Sequence, residues 1–187
     1  MKLRPLLTNI CLVVCMAGIF GQDQQTNYQL PAKAIMDLAT APPTPTVMFT
    51  SDGTWMVIMQ RNAFMSIEDL AQPELRIAGL RINPKSFAGS RIPFMVDVKF
   101  KNVKSGIEYV IKGMPKDSKI SNLQFSPSEK KVGFIHQGTE GNEFWVADIN
   151  TRSAERWGKA SLNSTIGKPF QWIDDNNILA KTVRLSN

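Results

Sequence analysis

Few residues in this 187-residue chain are of the types that do chemistry, and they are scattered. A triad-type serine hydrolase needs a histidine as general base, and the sequence holds a single one, His136. It follows the apolar run Val132 to Ile135, where a structural histidine, at a loop edge or part-buried, is the expectation. The G-x-S-x-G turn that presents a nucleophilic serine does not occur, and neither does a Gly-rich phosphate loop. Asp174 and Asp175 form an adjacent carboxylate pair that could hold a cation, but acidic residues in a tight turn usually serve to solvate that turn. Trp55, Trp145, Trp157 and Trp172 could be taken for a stacking platform. Burying an aromatic side chain is worth about 1.5–3 kcal/mol, however, so Trp55, Trp145 and Trp172 are expected in a core without any ligand. Trp157 could serve either role. No catalytic, metal-binding or cofactor-binding residue is therefore expected, and no cofactor. Two arginines remain, Arg76 and Arg81 in the run RIAGLR, as candidates for a domain interface or a substrate filter.

The elements that must position these residues are short strands. Residues 123–159, LQFSPSEKKVGFIHQGTEGNEFWVADINTRSAERWGK, read as one four-stranded unit. Phe125 opens an apolar edge, and the following Ser-Pro-Ser-Glu is a turn, with proline where a fixed φ helps. Val132 to Ile135, Phe144 to Ile149 and Ala154 to Trp157 are apolar strands, separated by a two-glycine loop and by the turn at Asn150 to Ser153. Strands this short, punctuated this often, predict an all-β fold. One such meander is marginal in water and needs neighbours to cover its faces.

Those neighbours emerge when the unit is slid along the chain. The opening at Phe125 matches one at Trp172, 47 positions later, and Val146 matches Phe100, 46 positions earlier. A third opening, FTSDGTWMV, begins at Phe49, 76 positions before Phe125, so the first unit carries an insertion of about thirty residues. A period in the forties with several strands per unit predicts a β-propeller. The expected segments are 23–45 as an N-terminal extension with a short helix, 46–115 as a first blade with its insertion, 116–160 as a second blade, and 161–187 as the start of a third. The fold class is thus an incomplete propeller of two to three blades. Within the extension, Pro31 is expected in the first turn of the helix, which Ala41-Pro42-Pro43 ends. Within the insertion, Ser66 and Asp69 make a capping box. Apolar parity flips across Ala78-Gly79, which predicts a bulge in one strand rather than two separate strands. Phe94 to Phe100 and Ile107 to Ile111 are the outer strands of the first unit.

Residues 1–22 carry Lys2 and Arg4, then an apolar run from Ile10 to Phe20, then small and polar residues, the pattern of a cleaved secretory signal peptide. The run is shorter than the roughly 20 residues a membrane span needs. Export to the periplasm or the extracellular space is expected. A lipid anchor at Cys15 is the variant, and the bulky Val14 argues against it. Cleavage would remove Cys11 and Cys15, the only cysteines, and would lower the formal charge from +6 to +4. Disulfides, thiolate metal sites and a cysteine nucleophile are then excluded. The remaining basic residues are interspersed with acids, which disfavours a nucleic-acid partner.

The run YQLPAKAIMDLATAPPTPTVMFTSDGTWMVIMQR (28–61), followed by SIEDLAQPELRIAGLRINP (66–84), resembles the beginning of exported serine peptidases of the prolyl oligopeptidase family (S9). The likeness is greatest to the branch with glutamyl endopeptidase-like and dipeptidyl aminopeptidase-like enzymes. It covers essentially everything after the leader, and AQPELRIAGLRINP is its most specific part; the blade motifs are shared with TolB- and WD40-like propellers. The resemblance implies that an N-terminal propeller caps a C-terminal α/β-hydrolase domain, which carries the triad and whose propeller filters peptide substrates. No catalytic position carries over, because the matching region is not in this sequence. The chain is then expected to be the front end of a longer peptidase, prone to aggregate alone because open sheet faces and edges are exposed. A TolB-like propeller that binds proteins in the periplasm is the alternative.

Overall fold

A computed structural model describes residues 29–139 and 141–183. The expected leader, with Cys11 and Cys15, lies outside the described residues. The chain divides into two compact units, Met1–Leu38 and Ala39–Asn187. The helix α1, Lys33–Thr40, starts two residues beyond Pro31 rather than around it. Its first amides, of Ile35 and Met36, both bond to the Ala32 carbonyl at 2.9 and 3.1 Å, so Ala32 begins the turn. Lys33 and Asp37 pair across one turn at 2.6 Å, and none of the helix residues is buried.

Among the described residues, the unit from Ala39 onward is mostly antiparallel sheet, with no closed barrel. Strands β1 (Thr46–Phe49) and β2 (Trp55–Arg61) form a hairpin, and β2 pairs with β6 (Met95–Asn102), which pairs with β7 (Glu108–Val110). A second meander follows: β8 (Ile120–Phe125), β9 (Lys131–Gly138), β10 (Gly141–Asp148) and β11 (Ser153–Arg156). The two meanders join through one residue pair of β6 and β8, Met95 with Ile120, and through Lys112, just after β7, which bridges to Ser153 of β11. A hairpin of β12 (Phe170–Trp172) and β13 (Ile178–Ala180) comes last. The turns are closed by short polar side chains that accept backbone amides. Asp148 takes those of Asn150 and Thr151 at 2.8 and 2.9 Å, and Asn102 takes that of Ser105 at 2.9 Å.

Strands β9 and β10 are apolar on both faces, the pattern of strands covered from two sides. Val132 and Phe134 on β9, with Ala147 on β10, pack against Val57, Met59, Val98 and Phe100 of the first meander. The alternate residues Ile135, Phe144 and Val146 pack with Leu162 and Phe170, backed by Trp157 and Trp172. The second meander is therefore a middle layer. Phe144 sits at the hub of an aromatic cluster, 4.6 Å from Phe170 and 6.0 Å from Trp172 between ring centroids.

The insertion between β2 and β6 holds α2 (Ile67–Leu70) and a small sheet of β3 (Leu75–Ile77), β4 (Leu80–Asn83) and β5 (Ala88–Gly89). The Ser66 hydroxyl caps α2 by accepting from the Asp69 amide at 3.0 Å, as the capping box predicts. Ala78-Gly79 corrects the expectation of a bulge. It is the two-residue turn of a hairpin, with φ of 48° and 83°, and β3 and β4 are separate, paired strands. A tight turn with both central residues at positive φ flips apolar parity just as a bulge does. Parity alone could not tell them apart.

Candidate functional site

The hairpin brings the two sequence-selected arginines together. Arg76 and Arg81 are direct cross-strand partners, so both project from one face of the ribbon, while Leu75, Ile77, Leu80 and Ile82 occupy the other. Like charges opposite one another repel, and the structure answers with Glu74. Its side chain, 10% exposed, lies 2.8 Å from Arg76 Nε, 3.8 Å from Arg81 Nη1 and 3.4 Å from Arg91 Nε. The Ser90 hydroxyl donates to it at 3.0 Å. The hydrogen bond from Arg76, with that of Ser90 and the charges of Arg81 and Arg91, holds the Glu74 carboxyl below its ordinary range. Three guanidinium groups share one carboxylate, so the ribbon keeps an excess of two positive charges. All three arginines are 45% or more exposed and retain N–H edges able to bind an anion. No motif or spacing in the sequence singles out Glu74 or Arg91. Glu74 stands two residues before Arg76, a spacing that places it on the arginine face once the segment is known to be a strand.

A polar cleft runs beneath the insertion. Two adjoining cavities, of about 520 and 630 Å³, share Glu68, Asp117 and Lys119. The smaller has apolar lining from Phe64, Ile92 and Phe94; the larger holds Lys85, Lys116 and His136. Lys119 Nζ reaches Asp69 on α2 at 2.5 Å and thereby ties the insertion to the second meander. Burial pushes the Asp69 carboxyl up, but the bonds from Lys119 and Ser66 outweigh it and hold the group below its ordinary value. His136 lies within β9, buried, opposite Glu143 on β10 and edge-on to Trp145 at 6.4 Å. Its Nδ1 accepts from the Lys119 amide at 3.4 Å, and burial lowers its pKa, so the ring is kept neutral. Glu143 is held by Arg156 at 2.7 Å and by the Trp145 indole at 2.8 Å. Buried opposite Glu143 and against the Trp145 ring, the histidine is part of the packing.

Asp174 and Asp175 do not converge on a common point. Asp174 braces its own turn through the amides of Asn176 and Asn177 at 2.7 and 2.9 Å, whereas Asp175 accepts from the Ser128 amide at 3.0 Å. Among the described residues, no three His, Cys, Asp or Glu gather as a metal site. All four tryptophans pack against the two cores, and Trp157 meets Trp172 at 5.9 Å. No helix among the described residues is long and apolar enough to cross a membrane.

An antiparallel β assembly with a cationic hairpin is a class shared by many proteins. Its similarity to known sequences is narrower. The chain is homologous to two plant proteins named "Probable glutamyl endopeptidase, chloroplastic". The one from Oryza sativa subsp. japonica is 29% identical over 172 residues, covering 85% of this chain and 18% of that protein. The one from Arabidopsis thaliana is 31% identical over 170 residues, covering 84% of this chain and 18% of that protein. The chain thus spans less than a fifth of the length of the curated relatives it matches. No family model matches the sequence, and no solved structure does.

Proposed function

We propose that this chain is the opening part of a substrate-gating β-propeller in an exported serine peptidase of the prolyl oligopeptidase family. Peptide hydrolysis is then the work of an α/β-hydrolase domain outside this chain. The observation that carries the reading is homology along 84–85% of the chain to proteins named as endopeptidases. Support also comes from the middle layer formed by β8–β11, which has a sheet packed on each face as a propeller blade has. On this reading blade 1 spans 46–115 with its insertion, blade 2 spans 116–160, and a third begins at 161, after a leader at 1–22 and an extension at 23–45. Arg76 and Arg81 line the path to the hydrolase domain and favour acidic peptides.

The test is peptide hydrolysis by the full-length protein and by its Arg76→Ala/Arg81→Ala variant. We expect kcat/KM for peptides rich in Glu and Asp to fall about tenfold, the scale of one lost charge-assisted contact, with short neutral peptides unaffected. Unchanged kinetics on acidic peptides would remove the arginines from the path. No hydrolysis by the full-length protein would end the peptidase reading in favour of a protein-binding propeller.

A further inference from the structure

The opening turns of the two meanders and of the β12–β13 hairpin are linked in succession, the later turn reaching the earlier one in both contacts. The Glu129 carboxylate, in the turn between β8 and β9, accepts from the Ser51 amide at 2.6 Å and from the Ser51 hydroxyl at 2.5 Å. Ser51 lies in the opening turn of the first meander, 78 residues earlier. Asp175, in the opening turn of the β12–β13 hairpin, repeats the contact one sheet further on by accepting from the Ser128 amide at 3.0 Å. Lys131 strengthens that second contact, donating to the Asp175 carbonyl at 3.0 Å and to the Asn176 side chain at 2.9 Å. In each case the later turn supplies a carboxylate to the backbone of the earlier one.

The backbone gives an independent reason to regard Glu129 as placed for this contact. Its φ is +58°, a left-handed conformation in which a residue bearing a Cβ is disfavoured and glycine is at ease. The matching position of the first turn is a glycine. Gly53 has φ +67° and donates to the Thr50 carbonyl at 2.9 Å, as Glu129 donates to the Ser126 carbonyl at 2.9 Å. The second turn thus keeps the geometry and replaces its favoured residue with a glutamate whose side chain crosses to the neighbouring sheet. Asp52, by contrast, is exposed and bonds only within its own turn. Hydrogen bonds from Thr50 and Thr54 occupy it, and it reaches no other sheet.

We propose that Glu129 and Asp175 are inter-sheet latches: each carboxylate caps the opening turn of the preceding sheet and fixes the angle between the two. Glu129 lines a cleft of about 210 Å³ together with Trp55, Lys130 and Ile149. Backbone pairing between the two meanders is confined to Met95 with Ile120 and to a bridge from Lys112 to Ser153 of β11, so a side-chain clamp at the opening turns adds a fixed point of its own. The proposal stands whether or not the protein is a peptidase, because its readout is stability and amide exchange.

The decisive variant is Glu129→Gly in the full-length protein, since two effects oppose one another there. Glycine relieves the backbone and removes the clamp. If the side chain is idle, the variant melts at the same temperature as the parent or higher. If it is a latch, the melting temperature falls by several degrees and exchange of the Ser51 amide accelerates at least tenfold. Should that variant fail to fold, Glu129→Gln, which keeps one acceptor oxygen but loses the charge, serves instead. It should speed exchange at Ser51 severalfold and leave Ser128, gripped by Asp175, unchanged. Equal exchange at Ser51 in parent and variant, or equal acceleration at both serines, overturns the proposal.

Discussion

Gly133 is where packing between the second and third sheets can be tested most directly. It lies on β9, on the face covered by the aromatic cluster. A Cβ at this position would stand 2.8 Å from Trp172 Cζ2 and 3.0 and 3.1 Å from Phe144 Cζ and Cε2. Its φ is not positive, so alanine is free to adopt the backbone and only the space is contested. Two effects of Gly133→Ala compete. Restricting the unfolded chain stabilises by about 0.4–1 kcal/mol. Forcing a methyl group into a filled core costs about 1–3 kcal/mol. Neither ring can withdraw easily, because Phe144 is buried against Phe170 and Trp172 is hydrogen-bonded through its indole to the Gln124 carbonyl at 3.4 Å. The overpacking term wins, and we expect a net loss of about 1–2 kcal/mol. Urea unfolding of the full-length protein, followed by tryptophan fluorescence, measures it. A second arm combines the change with Trp172→Phe, whose smaller ring vacates the contested space. The cost of Gly133→Ala should at least halve in that background, because residues in contact are not additive. A neutral Gly133→Ala, or two changes that add independently, would refute the described contact.

Acid should weaken the protein in two stages. Burial depresses the His136 pKa, so its neutral form favours the folded chain fully above about pH 6.5 and that contribution is lost as pH falls below it. The Asp69 carboxyl is also depressed, and its contribution is present above about pH 4 and lost below. Melting temperature against pH should lose its first stage in His136→Gln and have a shallower second stage in Asp69→Asn; an unaltered profile in both refutes the assignment. At the β3–β4 turn, Ala78 occupies a left-handed position that asparagine tolerates better. Ala78→Asn should therefore slow amide exchange within the Leu75–Asn83 hairpin about two- to fivefold, and faster exchange would contradict the turn geometry.

The meanders were legible because their turns are written in residues with a single local meaning. Asp148 and Asn102 each bond to amides a few positions on, so strand ends follow from nearby sequence. The same locality made the capping of α2 by Ser66 readable. The misreading of Ala78-Gly79 arose because alanine is an uncommon choice for a left-handed turn position, and parity alone does not distinguish a bulge from a two-residue turn. The helix α1 begins beyond Pro31 because proline marks the region of a helix start without fixing which carbonyl accepts first. Long-range polar contacts were out of reach. Glu74 amid three arginines, and Glu129 on Ser51 78 residues away, join segments whose proximity only folding creates. Asn142 belongs with them. Its buried amide donates to the Ser86 carbonyl at 2.7 Å and to the Leu162 carbonyl at 3.3 Å, joining the insertion to the chain beyond β11.

The double burial of β9 and β10 bears on how such a protein can change over time. A strand pair with a wet face has positions where mutation goes unnoticed, but here nearly every side chain answers to a neighbour on one side or the other. Substitutions in this layer must arrive with compensating ones in the flanking sheets, as Gly133 must answer to Trp172. The layer is thus expected to drift slowly and in matched pairs.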